Sequence, residues 1–167
     1  MSQDGQRLDP DRYAVIPRTI SFVVHYDQIL LIQLASDHEG WASLYNGIGG
    51  HVESGEEPLT AARREVLEET GLSLADQQLC GVVIVDMGTN SGIALFVFVG
   101  EALETDLLAG PEGVPTWVPV DRLEDYELVE DLGFLIPQAL EAWSDNTIFF
   151  AGYSYDAHGE LQIRLTE

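Results

Sequence analysis

Six glutamates fall within residues 50–72, which read GHVESGEEPLTAARREVLEETGL. Three of them, Glu65, Glu68 and Glu69, recur at i, i+3 and i+4, so a helix would carry them on one face. Carboxylates held together repel one another unless a cation lies between them. Mg²⁺ prefers such oxygen ligands and binds through a few carboxylates together with substrate phosphates. The spacing therefore predicts a Mg²⁺ site, for which Mn²⁺ is an alternative ion.

A helix over residues 58–70 would position these glutamates. Pro58 suits the first helical turn because its missing N–H needs no partner there, and the negative charge of Glu57 favours the helix start. Gly71 suits the left-handed conformation in which helices often end. The helix has a second stripe, of residues predicted to pack on a sheet: Leu59, Ala62, Val66 and Thr70.

The separation of the residues in this stretch is also specific. Gly50 is followed after five residues by Glu56, and after seven more Arg64 begins the run REVLEETGL. This spacing resembles the Nudix box of the Nudix hydrolases, without a departure at any fixed position. The resemblance implies the Nudix fold and hydrolysis of a nucleoside diphosphate linked to another moiety. Arg64 is predicted to orient a carboxylate, since it lies beside Glu65 and one turn before Glu68.

The resemblance also implies roles for single residues. The implied metal ligands are Glu65, Glu68 and Glu69, with Glu56 as an outer or additional ligand and the backbone carbonyl of Gly49 as a further one. In MutT-like members of the family, a glutamate in the loop before a Trp-containing strand often joins the metal site. Glu112, four residues before Thr116-Trp117, fits that pattern as an extra ligand or base. The catalytic base is left open between Glu65, Glu68 and Glu112.

Residues 44–50 (LYNGIGG) resemble the WNGFGG-type stretch of nucleoside triphosphatases that clear oxidised purines. In those enzymes the Asn reads the purine edge, and an acidic residue in the segment after the Trp strand joins it. The matching residues here are Asn46 and Asp131, an amide and a carboxyl that complement the edge of guanine. Tyr45 stands where an aromatic often does and is predicted to stack or to pack. The alternatives are a turn residue for Asn46 and a helix N-cap for Asp131.

Two further residues are predicted to bind substrate. The Gly49-Gly50 pair lets the backbone approach a ligand closely, so Gly50 belongs to this group. The next position is often Lys in MutT-like proteins, where a cation meets a phosphate. Here it is His51, and an imidazole donates to phosphate when it is protonated. We therefore expect His51→Lys to leave activity intact or to improve it.

The charge of the chain restricts its partners. It carries 29 acidic residues against seven arginines, with no lysine, and a formal net charge of −22. Such a charge disfavours duplex nucleic acid and anionic membranes. It disfavours a polyphosphate as well, unless metal ions neutralise both the site and the phosphates; the predicted partner is therefore a small-molecule nucleotide. No apolar run reaches the length of a membrane span and no signal peptide is evident, so the expected compartment is the cytoplasm.

The remaining patterns predict one α+β domain over residues 1–167. Two strands are predicted within 17–34, around a turn near Asp27-Gln28, and a hairpin buried on both faces from 78–86 and 92–99. Further predictions are an irregular lead-in, a loop over 35–46, a strand over 116–120, a second helix within 131–143 after Pro137, and a C-terminal hairpin within 146–166. Together they indicate a mixed sheet sandwiched between helices, the Nudix fold, with its core at about 17–143. The hairpin either extends the sheet or mediates a homodimer.

The interpretation favoured is Mg²⁺-dependent hydrolysis of a nucleoside triphosphate to the monophosphate and pyrophosphate, with an oxidised purine as the leading base. The first alternative keeps the chemistry and changes the substrate to ADP-ribose, a nucleotide sugar or a dinucleoside polyphosphate. The second is a nucleotide-sensing Nudix protein without catalysis. Such proteins are expected to have lost carboxylates of the box, whereas this chain retains them all.

Overall fold

The computed structural model describes residue 9 and residues 11–36, 40–74, 76–110 and 112–166. The strands are β1 (Ala14–His25), β2 (Gln28–Leu34), β3 (Tyr45–Asn46), β4 (Gln77–Asp86), β5 (Ser91–Glu101), β6 (Gly113–Pro119), β7 (Phe149–Tyr155) and β8 (Leu161–Leu165). Two α-helices, α1 (Pro58–Thr70) and α2 (Leu132–Asp145), and a 3-10 helix over Val120–Asp125 complete the fold of these residues.

The eight strands form one mixed sheet in the order β3-β2-β1-β5-β4-β7-β8, with β6 also paired to β2. The pairs β1–β5 and β4–β7 are parallel, and the other pairs are antiparallel. Helix α1 contacts β1, β4, β5 and β6, whereas α2 contacts β4, β5 and β7. The predicted α+β architecture, a mixed sheet between helices, is confirmed.

Strand β1 changes its partner along its length, and this positions the glycine-rich segment. Its last residues pair with β2, up to His25 opposite Gln28. Nearer its start, β1 pairs instead with the chain that follows β3, where Ser21 lies opposite Ile48 and Arg18 opposite His51. Residues 48–51 are therefore fixed beside β1, directly before α1.

Helix α1 begins and ends where the sequence predicts. The carboxylate of Glu57 caps its start, accepting the N–H of Leu59 at 2.9 Å and that of Thr60 at 2.7 Å. Gly71 ends it in the left-handed region, with φ 77°, and donates its N–H to the carbonyl of Leu67. Three of the four residues predicted to pack on the sheet are buried: Ala62, Val66 and Thr70. The fourth, Leu59, is half-buried.

Helix α2 begins earlier than predicted. It was expected to start after Pro137, whereas Pro137 lies inside it. A proline removes one helical hydrogen bond, and its ring crowds the carbonyl four residues earlier, which belongs here to Gly133. Pro137 is exposed, so the interrupted bond lies on the solvent side. The opposite face fills the core with residues that are all fully buried: Leu132, Leu135, Ile136 and Ala139.

Other predicted boundaries need correction. Residues 45–46, predicted as loop, form β3, and β6 begins three residues before the predicted start at Thr116. The end of β4 is not buried on both faces, because Ile84 and Asp86 are exposed. The turn after β1 consists of Tyr26 and Asp27, one residue earlier than predicted. Most of the predicted irregular lead-in, residues 1–8 and 10, lies outside the described residues, and β1 already begins before residue 17.

The predicted C-terminal hairpin is present as β7 and β8, and it extends the sheet. Strand β7 lies parallel to β4, from Gly81 opposite Phe149 to Val85 opposite Tyr153. A homodimer through this hairpin stays a prediction. In the described part of the chain, no helix has the length and apolar character needed to cross a bilayer.

Candidate active site

The guanidinium of Arg64 is the centre of the charged face of α1. It pairs with Glu56 through two bonds of 3.0 Å, and its Nη1 donates to Glu65 at 2.8 Å and to Glu68 at 3.2 Å. Its Nη2 also donates to the backbone carbonyl of His51 at 3.0 Å. Arg64 therefore orients three carboxylates of the box and joins α1 to the preceding segment. This contact with Arg64 lowers the pKa of Glu56 below its ordinary value.

The two glycines before α1 allow very close contacts. A Cβ on Gly49 would lie 2.1 Å from the carbonyl oxygen of Thr19, and a Cβ on Gly50 would lie 2.4 Å from Oε1 of Glu65. The carbonyls of Ile48 and Gly50 accept hydrogen bonds from β1. Glycine at position 49 thus allows close contact with β1, and glycine at position 50 leaves room for the carboxylate of Glu65.

Glu69 is the buried carboxylate of the site. Its side chain is 5 % exposed, and Oε1 has no hydrogen-bond partner among the described residues. Burial, together with the charges of Glu112 and Glu65, raises the pKa of Glu69 to about 9, against a smaller opposing effect of the Gly49 N–H. The loop before β6 lies against α1 here, with Gly110 next to the backbone of Glu69. The charge of Glu112 acts on this buried carboxylate, and its role as an extra ligand or base stays a prediction.

The predicted convergence of Glu65, Glu68 and Glu69 is only partly seen. Across the described ranges, no three His, Cys, Asp or Glu side chains are gathered as a metal cage. Glu68 is exposed and Glu69 is buried, because Glu69 lies closer to the centre of the packed stripe of α1. A divalent cation nevertheless fits the donor set, since the orphaned oxygen of Glu69 and the neighbouring carboxylates are hard oxygen ligands.

A cavity of about 410 Å³ lies beside the Gly49-Gly50 segment and brings Asn46 and Asp131 together. The Oδ1 atom of Asn46 accepts the N–H of Gly47 at 2.8 Å. Asn46 lies in strand β3, so the alternative of a turn residue is wrong. Asp131 occupies the N-cap position of α2, but its side chain makes no capping bond. Burial raises the pKa of Asp131, and the charge of Glu130 adds to this effect.

Tyr45 does not line this cavity, in contrast to its neighbour Asn46. Its ring packs edge-on to that of Tyr126, with centroids 5.1 Å apart. The two residues of β3 point to opposite faces because side chains alternate along a strand. Of the two roles predicted for Tyr45, the structure places it in packing.

Arg18 is a site residue that the sequence analysis missed. It lines the cavity, and its Nε donates to Nε2 of His51 at 3.1 Å. The exposed His51 thus contacts the cationic side chain of Arg18. Position 51 is the one that often carries a lysine in MutT-like proteins. The available signal was a single charge in β1, two residues before the run ISFVV.

Tyr153, on β7, was missed as well. It lines the cavity, is 4 % exposed, and its hydroxyl has no hydrogen-bond partner among the described residues. Burial raises the pKa of Tyr153 well above its usual range, and the charge of Asp131 contributes. No local pattern marks Tyr153, because only the pairing of β7 with β4 brings it to the cavity.

Comparison with known families assigns the fold. Residues 16–138 match the NUDIX domain. The chain belongs to this family. The match includes the box, Asn46 and Asp131, and it ends before the C-terminal hairpin that carries Tyr153.

Two curated relatives are oxidized purine nucleoside triphosphate hydrolases. The one from Danio rerio is 31 % identical over 83 residues, which cover 49 % of this chain and 53 % of the relative. The one from Mus musculus is 28 % identical over 101 residues, covering 60 % of this chain and 65 % of the relative. The alignments thus span about half to two thirds of these proteins.

Solved structures agree on the Nudix fold. A MutT protein from Bacillus halodurans is 28 % identical, with a TM-score of 0.72 over 90 % of this chain and 97 % of that one. The Nudix domain of NrtR from Shewanella oneidensis, solved with ADP ribose, is 19 % identical, with a TM-score of 0.68 over 86 % and 99 % of the two chains. At 19 % identity, the similarity to the NrtR domain concerns the fold alone.

Proposed function

We propose that this Nudix chain is a Mg²⁺-dependent hydrolase that converts a nucleoside triphosphate, with an oxidised purine as the leading base, into the monophosphate and pyrophosphate. The observation that carries the proposal is the cavity shared by Asn46 and Asp131, which adjoins the Gly49-Gly50 segment and, through it, Glu65. The two relatives named as oxidized purine nucleoside triphosphate hydrolases support the same substrate.

The cavity suits a purine base. Its apolar walls come mainly from strands of the sheet, including Ile20, Ile93 and Leu95. Asn46 and Asp131 add an amide and a carboxyl, which together offer donors and acceptors to the polar edge of a base. Since Asp131 makes no capping bond, its carboxyl is available to a ligand. A few polar groups in an apolar cleft give such a site its selectivity.

The box lies where the phosphates of that nucleotide would extend. Glu65, Glu68 and Glu69 would hold the metal, with Glu56, Glu112 and the carbonyl of Gly49 as further ligands. When bound, Mg²⁺ neutralises phosphate oxygens and lowers the pKa of the attacking water. Arg64 keeps the carboxylates of Glu56 and Glu65 in place through bonds of 2.8 to 3.0 Å. One carboxylate accepts the proton of the water, and Glu65, Glu68 and Glu112 are the candidates.

The test is a panel of nucleotides with and without Mg²⁺, with released phosphate and pyrophosphate measured. The panel contains 8-oxo-dGTP, dGTP, dATP, ADP-ribose, a nucleotide sugar and a dinucleoside polyphosphate. We expect Mg²⁺-dependent release of pyrophosphate, fastest from 8-oxo-dGTP. Glu68→Gln should reduce the rate at least about a hundredfold, whereas Glu141→Gln, an exposed glutamate on α2, should not.

Other outcomes of the panel select the alternatives. Preferred cleavage of ADP-ribose, the nucleotide sugar or the dinucleoside polyphosphate would replace the proposed substrate and keep the chemistry. Binding without cleavage of any compound would indicate a nucleotide sensor. Asn46→Ala should reduce the discrimination between purines and leave metal-dependent hydrolysis; unchanged selectivity would remove Asn46 from the base site.

A further inference from the structure

Arg18 is a cation in a chain that has few of them. Of the described arginines, Arg12 and Arg122 pair with aspartates on the surface, and Arg64 is bound by three glutamates. No carboxylate in the described ranges forms an ion pair with Arg18, although Glu130 and Asp131 line the same cavity. An arginine without an anion, half-buried in a protein of net charge −22, needs an explanation.

The single bond of Arg18 leaves most of its donors available. A guanidinium carries five N–H groups, and that on Nε points to Nε2 of His51 at 3.1 Å. The bond fixes the plane of the guanidinium, and the four N–H groups of the two terminal nitrogens have no partner among the described residues. Paired donors in one plane match two oxygens of a phosphate group.

The position of Arg18 indicates which phosphate it would meet. Its backbone pairs with His51, and the N–H of the next residue, Thr19, donates to the carbonyl of Gly50 at 2.9 Å. Gly50 faces Glu65 on one side, and both it and Arg18 line the cavity. Arg18 therefore lies between the predicted base cavity and the predicted metal site.

We propose that Arg18, oriented by His51, binds the phosphate nearest to the nucleoside. The inference rests on the proposed function for the class of ligand, a nucleotide with its base in the cavity. It assigns a phosphate contact to β1, where Arg18 donates to Nε2 of His51 and keeps its other donors available.

The test compares the binding of deoxyguanosine and of its 5′-monophosphate by calorimetry, without turnover. We expect the native chain to prefer the monophosphate, and Arg18→Gln to weaken monophosphate binding about tenfold to a hundredfold while nucleoside binding changes less than about twofold. Arg18→Lys should restore part of the preference, because it keeps the charge and loses the planar pair of donors. Arg164→Gln, on the outer strand β8, is the matched control and should bind like the native chain.

Equal losses for the nucleoside and the monophosphate would overturn the proposal, since they would make Arg18 a structural link between β1 and the box. Unchanged monophosphate binding would overturn it as well. His51→Gln keeps an acceptor for Arg18 and should preserve the preference, whereas His51→Leu should reduce it. Failure of the proposed hydrolase function would appear separately, as absence of turnover on the nucleotide panel with this binding preference intact.

Discussion

Gly50 faces the carboxylate of Glu65 so closely that a methyl group at residue 50 would lie 2.4 Å from Oε1. The conflict is with the end of a flexible side chain, so we expect Gly50→Ala to fold and to displace the carboxylate. Activity should fall at least about tenfold, because Glu65 is a proposed metal ligand and a displacement of about an ångström would impair that role. Steady-state rates and Mn²⁺ titration would measure this. A variant with native activity would show that the position of Glu65 is not critical.

Gly133 provides the matched control for that substitution. A Cβ there meets nothing within 4 Å, and the residue lies in the first turn of α2. Gly133→Ala should therefore raise the free energy of unfolding by about 0.5–1 kcal/mol, because alanine loses less conformational freedom on folding. Its activity should stay native, which chemical denaturation and rate measurements on the same sample can check.

The box was predictable from sequence because its geometry is local. Pro58, Glu57 and Gly71 specify one helix by rules that act within a few residues, and the structure reproduces both ends of that helix. The burial of Glu69 could also have been predicted from the sequence, since helical periodicity places this residue near Ala62 and Val66. The sequence analysis predicted that packed stripe but placed Glu69 only on the acidic face, although Glu69 lies at the edge of the stripe and is buried with it.

The cavity lined by Asn46 and Asp131 was predictable only in part, because distant segments build it. Asn46 and Asp131 were found through a resemblance in local sequence and the distance from Trp117. Arg18 and Tyr153 reach the cavity through strand pairing, to residues 48–51 and to β4 respectively, and no local pattern encodes those pairings. The start of α2 was predicted too late because Pro137 was expected to precede the helix. In the structure, the core contacts of the helix outweigh the one hydrogen bond that Pro137 removes on the exposed side.

Glu57 should stabilise α1 through its cap. Its carboxylate accepts the N–H groups of Leu59 and Thr60 and also contacts the Thr60 hydroxyl. Glu57→Ala should lower Tm by about 2–4 °C at pH 7, whereas Glu141→Ala, exposed on α2, should change it little.

The effect of Glu57→Ala should depend on pH. The bonds to Thr60 and Leu59 lower the pKa of Glu57, so the folded state binds its proton less tightly than the unfolded state. The stabilisation is therefore present above the unfolded pKa and is lost as the pH falls through the folded value. An equal difference in Tm at pH 7 and at pH 3 would contradict the capping role.

Asp131→Asn should stabilise the chain at neutral pH. Burial, with the charge of Glu130, raises the pKa of Asp131, so the folded state binds its proton more tightly than the unfolded state. Ionisation at pH 8 thus opposes folding, and an amide removes this effect. The advantage of the variant should shrink as the pH falls through the raised pKa and vanish below the ordinary value of 3.8. Denaturation of both proteins from pH 8 to pH 3 measures it, and a constant difference would contradict this origin.

Tyr153→Phe should preserve or increase stability, which is unusual for a change in a buried residue. The hydroxyl is shielded from solvent and has no hydrogen-bond partner among the described residues. A buried unpaired polar group costs about 1–3 kcal/mol, so its removal should change the free energy of unfolding by about 0 to +2 kcal/mol. Tyr126→Phe, whose ring packs on Tyr45 outside the cavity, is the control for loss of a phenol and should be nearly neutral. A loss of more than about 1 kcal/mol in Tyr153→Phe would show that the hydroxyl makes a bond in the folded protein, since that is what one satisfied hydrogen bond contributes.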